Sequence, residues 1–104
     1  MHNFSLFGKL IAQPGKGAEL CNILLKAAEQ VAQLPGCRQY LVFQDLADAD
    51  KICVAEIWEN REAHAASLQI PEVLALIQSA RPIIAGFSDR TEMRWEGGHG
   101  LAHP

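Results

Sequence analysis

The sequence predicts an α+β domain of ferredoxin-like type, built on a four-stranded antiparallel sheet. Three observations carry this. Strand-like and helix-like segments follow one another as strand, helix, strand, then strand, helix, strand, which is the split β-α-β order. Residues 18–34 draw one apolar stripe at three- and four-residue steps. Residues 37–45 and 51–58 are strand-like runs joined by a short polar link containing Asp48-Ala49-Asp50, the pattern of an antiparallel hairpin.

Residues 3–12 place Phe4, Leu6 and Leu10 on one parity and Phe7 and Ile11 on the other, so a strand covered on both faces is expected. Gln13-Pro14-Gly15-Lys16-Gly17 is a turn, and it lacks the glycine spacing of a phosphate-binding loop. In the helix over 18–34 the stripe runs through Leu20, Ile23, Leu24, Ala27, Val31 and Leu34, with Glu19, Lys26 and Glu29 off it. Glu19 sits in the first turn, where backbone N–H groups favour a carboxylate, and Pro35-Gly36 ends the helix.

On the second strand Tyr40 and Val42 face one way and Leu41 and Phe43 the other. On the third, Cys53, Ala55 and Ile57 oppose Ile52, Val54, Glu56 and Trp58. Asn60 is a plausible N-cap for a helical segment over 60–68. Ile70-Pro71 breaks or restarts that helix, and Val73, Leu74, Ile77 and Ala80 extend the stripe until Pro82 stops it. A last strand is expected over 83–95, with Phe87, Thr91, Met93 and Trp95 on one parity, Ser88, Arg90, Glu92 and Arg94 on the other, and Asp89 interrupting. These elements define one domain over residues 1–96, followed by a flexible Gly-rich tail over 97–104.

Composition narrows the function classes. Hydrophobic residues make up 49% of 104 residues, enough for a folded core with apolar surface left for a partner. The formal charge is -3 and no basic run tracks a phosphate backbone, so nucleic acid is not an expected partner. No apolar stretch reaches the length of a membrane span and no secretory signal is evident, which points to the cytoplasm. Cys21, Cys37 and Cys53 form an odd set without metal-ligand spacing, so free thiols and no metal site are expected.

Both faces of the third strand are largely apolar, yet helices cover only one face of such a sheet. The Cys53 face is assigned to the helices. The face bearing Val54, Glu56 and Trp58 is then left for a second copy of the chain, most simply in a two-fold homodimer with a cavity between sheet and partner. Trp58 there would be either a flat wall for a planar ligand or plain core. Glu56 is a carboxylate on an apolar face, where burial would raise its pKa, or else a salt-bridge partner for Arg90 or Arg94. His64, with an ordinary pKa of about 6.5, is the general-base candidate, beside the alternative of a solvated or capping histidine.

The runs GKLIAQPGKGAEL at 8–20, LPGCRQYLVFQD at 34–45 and AEIWENREAHAAS at 55–67 resemble the antibiotic biosynthesis monooxygenase family over roughly residues 3–95. The resemblance implies a dimeric α+β barrel that oxidises a small quinol or polyphenolic aromatic with O2, using no metal, flavin or haem. With that chemistry, His64 and Glu56 are the expected catalytic residues, and Trp58, Val54, Tyr40 and Phe87 the expected substrate contacts, of which Trp58 is the one carried over from the family. Trp58 stands at the family's common tryptophan and Glu56 at the glutamate two before it. Many members then carry a histidine followed three residues later by serine; in ungapped register those places hold Ser67 and Ile70, with His64 one helical turn earlier. Val54 replaces an asparagine found in some members. A non-catalytic small-molecule-binding dimer and a haem-binding or haem-degrading relative are the alternative readings of the same fold.

Overall fold

A computed structural model of the chain describes residues 3–101, so the end of the expected tail, 102–104, lies outside the described residues. The elements run β1 (Phe4–Ala12), α1 (Gly17–Val31), β2 (Cys37–Gln44), β3 (Lys51–Trp58), α2 (Arg61–Ser67), α3 (Pro71–Ala80), a 3-10 turn (Arg81–Ile83) and β4 (Ile84–Met93). The expected second helix is two helices. Pro71 occupies the first turn of α3, which restarts the chain after the end of α2. Among the described residues no helix is long and apolar enough to cross a membrane.

The strands form one antiparallel sheet in the order β2-β3-β1-β4. This corrects the expected barrel. The sheet is open, with β2 and β4 as unjoined edges. Closing a sheet on itself around a filled interior takes about eight tilted strands. Four strands instead make a layer, and here α1 and α3 pack together as the second layer.

Two buried clusters tie the layers together. Phe4, Trp58, Val31 and Val73 form one, and Ala12, Ile52, Leu20 and Ala80 the other. On the sheet, Phe4 pairs with Trp58 and Leu10 with Ile52, and between those rungs lie Leu6 opposite Glu56 and Gly8 opposite Val54. All of these share one parity, so the helices cover the Ile52–Val54–Glu56–Trp58 face. The expected assignment of the Cys53 face to the helices is therefore reversed. Strand alternation reports two faces but not which is covered when both are apolar. Trp58, with no exposed surface, and Ile52 settle it by their burial among helix side chains.

The opposite face carries Phe7, Leu41, Phe43, Ala55 and Ile57, aligned across β1, β2 and β3 by the register. Leu41 and Phe43 are exposed. The three cysteines are free and half-buried.

Two local features fix the ends of these elements. Asp50, at the end of the β2–β3 link, accepts the backbone N–H groups of Gly15 and Gly17 at 3.1 and 2.9 Å, so its carboxylate caps α1 from another part of the chain. A Cβ on Gly17 would lie 1.8 Å from the Ala49 carbonyl oxygen, which is why this close approach requires glycine. Asn60 caps α2, its side-chain oxygen accepting the Ala63 N–H at 2.8 Å.

Candidate functional site

Between the two core clusters the layers do not close, and a cavity of about 500 Å³ remains. Its floor is the covered sheet face, with Leu10, Tyr40, Glu56, Ile84 and Phe87. Its roof is a stripe of α1 through Ile23, Leu24, Ala27 and Val31, and a stripe of α3 through Val73, Leu76, Ile77 and Ala80. On α1 these are positions of the expected stripe, and on α3 Val73, Ile77 and Ala80 are too, while Leu76 lines the cavity and the expected Leu74 is exposed. His64 and Ser67 of α2 close one end, and Arg81 stands at the end of α3.

Of the residues expected at the site, His64, Glu56, Tyr40 and Phe87 line this one cavity. Val54 lines an adjoining hollow of about 240 Å³ that shares Leu10, Leu24, Tyr40, Glu56 and Phe87 with it. Trp58 does not line either space. It is buried in the core behind Glu56, and its indole N–H donates to Glu56 Oε1 at 2.9 Å. The cavity lies within the chain, between the sheet and its own helices, on the face expected to be left for a second copy. The Trp58 indole is thus a support for the acid in place of a wall for the ligand.

Electrostatics follow from this placement. Burial pushes the Glu56 carboxyl above its ordinary range, while the Trp58 hydrogen bond and the nearby Arg90 charge restrain the rise. Burial lowers the His64 pKa, and Arg90 and Arg61 lower it further against the pull of Glu92. His64 Nε2 stands 3.9 Å from Glu56 Oε1, beyond hydrogen-bond reach but inside ion-pair range. The imidazole is wedged between Phe4 and Trp58, with ring centroids 5.3 and 5.7 Å away. Tyr40 is pushed well above the usual phenol range by burial, then by Glu56 and Cys37, so its hydroxyl stays a donor.

Three further residues stand at the site that were not among its expected catalytic or binding residues. Ser67 is buried, and its hydroxyl donates to the His64 carbonyl oxygen at 2.6 Å. His64 and Ser67 are themselves three residues apart, so the His-x-x-Ser spacing exists one helical turn earlier than an ungapped comparison places it. Arg90 reaches the site through a β-bulge. Phe7 pairs with Thr91 and Lys9 with Ser88, leaving Gly8 opposite both Asp89 and Arg90, and Asp89 adopts φ 55°. The bulge breaks the parity expected for β4. Phe87 lies on the Leu10 face and Thr91 on the Phe7 face, while Arg90 lines the hollow beside Glu56. Arg90 and Arg61 both pair with Glu92, at 2.9 and 3.0 Å, and Arg61 stacks over the Phe4 ring at 4.5 Å. Arg81 is the third, an exposed cation on the cavity lining.

Among the described residues no three His, Cys, Asp or Glu side chains are grouped so as to hold a metal ion. No curated protein matches the chain at a significant level. A solved protein from Chloroflexus aurantiacus J-10-fl, provisionally titled an antibiotic biosynthesis monooxygenase, is 39% identical, with a TM-score of 0.88 over 96% of this chain and 99% of that one. One from Deinococcus radiodurans with the same provisional title is 26% identical, with a TM-score of 0.71 over 97% and 98%. A Pseudomonas aeruginosa protein shares the fold at 18% identity, with a TM-score of 0.83 over 93% and 97%. The family model for antibiotic biosynthesis monooxygenases matches residues 4–79, three quarters of the chain and nearly all the elements that build the cavity, and the chain belongs to the antibiotic biosynthesis monooxygenase family.

Proposed function

We propose that the protein is a cofactor-independent monooxygenase that oxidises a small quinol or polyphenolic aromatic with O2. One observation carries the reading: Glu56 and His64, each largely withdrawn from water, face the same apolar cavity. A phenolic ring fits between the sheet and the apolar stripes of α1 and α3. His64, held neutral, takes the hydroxyl proton, and the protonated Tyr40 phenol can donate to the ring oxygen. Apolar walls keep bulk water from the resulting anion, which is electron-rich enough to pass an electron to O2. Radical recombination places one oxygen atom on a ring carbon as a carbonyl. The other leaves as water with the two hydrogens given up by the substrate, so no external reductant is needed. Glu56, anchored by Trp58, returns or accepts the second proton.

The reading includes a homodimer. The uncovered sheet face presents Phe7, Leu41 and Phe43 together, and an isologous contact between two such faces removes that apolar surface from water. Free thiols suit a reducing, cytoplasmic setting.

The test is oxygen uptake by purified, metal-stripped protein over a panel of hydroquinones and polyphenols, against an enzyme-free autoxidation control. Saturable uptake above the control supports the monooxygenase. No uptake, with ligand-dependent thermal stabilisation, makes the chain a binding protein of this family instead.

A further inference from the structure

We propose that the substrate is an elongated aromatic acid, with its reacting hydroxyl at Glu56 and His64 and its carboxylate held by Arg81 at the opposite end of the cavity. The identity of the reacting end rests on the monooxygenase reading; the rest is carried by the shape and charge of the cavity. The α3 lining runs from Val73 to Arg81, and at a rise of 1.5 Å per residue this is roughly 12 Å. Val73 packs in the Phe4–Trp58 cluster, at the end where His64 sits, and Ala80 in the Ala12–Ile52 cluster at the other. A single ring fills only part of that length. Two fused or linked rings with a terminal anion span it.

The two ends differ chemically. Glu56, Tyr40 and His64 gather at one, and the walls between are apolar. Arg81 stands at the other, and among the described residues no carboxylate lies within ion-pair distance of it. Arg61 and Arg90, by contrast, are both engaged by Glu92. The place of Arg81 at the C-terminus of α3 suits the helix dipole, but that leaves the planar fork of donors available to a carboxylate.

The experiment compares calorimetric binding of hydroxynaphthoic acid and naphthol to the wild type and to Arg81→Gln, with Tm confirming that the variant folds. The acid should bind the wild type about tenfold more tightly at low salt, as one charge-assisted contact provides. Added salt should shrink that preference, and Arg81→Gln should abolish it while naphthol binds as before. Equal affinities in the wild type, or a preference that survives Arg81→Gln, overturns the proposal. An Arg81-dependent preference without oxygen uptake on any phenol would sink the monooxygenase reading and leave this one standing. Uptake with neutral quinols and no preference for the acid gives the converse.

Discussion

The indole N–H of Trp58 donates to Glu56 Oε1 at 2.9 Å, joining a fully buried core side chain to the acid that faces the cavity. The two residues are one rung apart on the same face of β3, so the strand itself sets the geometry. Trp58→Phe keeps an aromatic ring in the core and removes the donor. The buried Glu56 side chain is then left without its donor, at a cost of about 1–3 kcal/mol. Denaturant unfolding at neutral pH should record a loss of that order, with the midpoint shifted and the slope unchanged. A variant as stable as the wild type would mean the bond is not formed in solution.

The pH dependence of stability separates Glu56 from His64. Burial raises the Glu56 pKa above its ordinary 4.5. In the folded state it therefore keeps its proton to higher pH than in the unfolded chain, and its contribution is full below 4.5 and lost as pH rises through the raised value. Glu56→Gln cannot ionise, so its Tm should gain on the wild type as pH climbs from the acid range toward neutrality. His64 acts in the opposite sense. Its pKa is lowered from 6.5, so its contribution is present above 6.5 and is lost as pH falls from there through the lower folded value. His64→Gln should flatten the acid side of the curve. A constant Tm difference between Glu56→Gln and wild type across this range would contradict the assignment.

If His64 takes the substrate proton, His64→Gln should lower kcat/KM for oxygen uptake by about a hundredfold or more. The acid limb of the wild-type pH–rate profile should vanish with it, because the imidazole that titrates there is gone. Unchanged turnover removes His64 from the chemistry and shifts the proton-accepting role to Glu56.

Asp89 holds the bulge that carries Arg90 to the site, at φ 55°. Glycine adopts this conformation without strain and a β-branched residue does so only at cost. Asp89→Gly should preserve both fold and turnover. Asp89→Val should lose about 1–3 kcal/mol of stability and, by displacing Arg90, remove a charge that helps keep His64 neutral. Its pH–rate profile should then move toward higher pH. Equal behaviour of the two variants would show that the bulge does not position Arg90.

The sequence carried much of this architecture because the helical stripes and the β2–β3 hairpin are local patterns. The Leu20-to-Val31 stripe and the Pro71 restart both stand where periodicity and proline chemistry place them. Two features were not local. Which face of β3 meets the helices depends on packing against α1 and α3, and Ile52 and Cys53 offer no distinction in an apolar strand. The parity of β4 turns on one residue at positive φ, which inverts the side-chain alternation beyond Asp89 and so puts Arg90 beside Glu56. His64, Glu56 and Tyr40 could be named as chemistry-bearing residues. That they share one intramolecular cavity, with Trp58 behind the acid, required the third dimension.

Leu41 and Phe43 are neighbours two positions apart on edge strand β2, exposed on the face the helices leave bare. The proposed homodimer buries them, so a charge placed there must be desolvated or must hold the copies apart. Phe43→Glu should turn a dimer into a monomer in sedimentation velocity experiments at micromolar concentration. The substitution lies outside the cavity lining, so calorimetric affinity for naphthol should persist if each subunit's cavity is complete without its partner. A wild type that sediments as a monomer would remove the dimer from the proposal. A Phe43→Glu variant that stays dimeric would move the contact to another face.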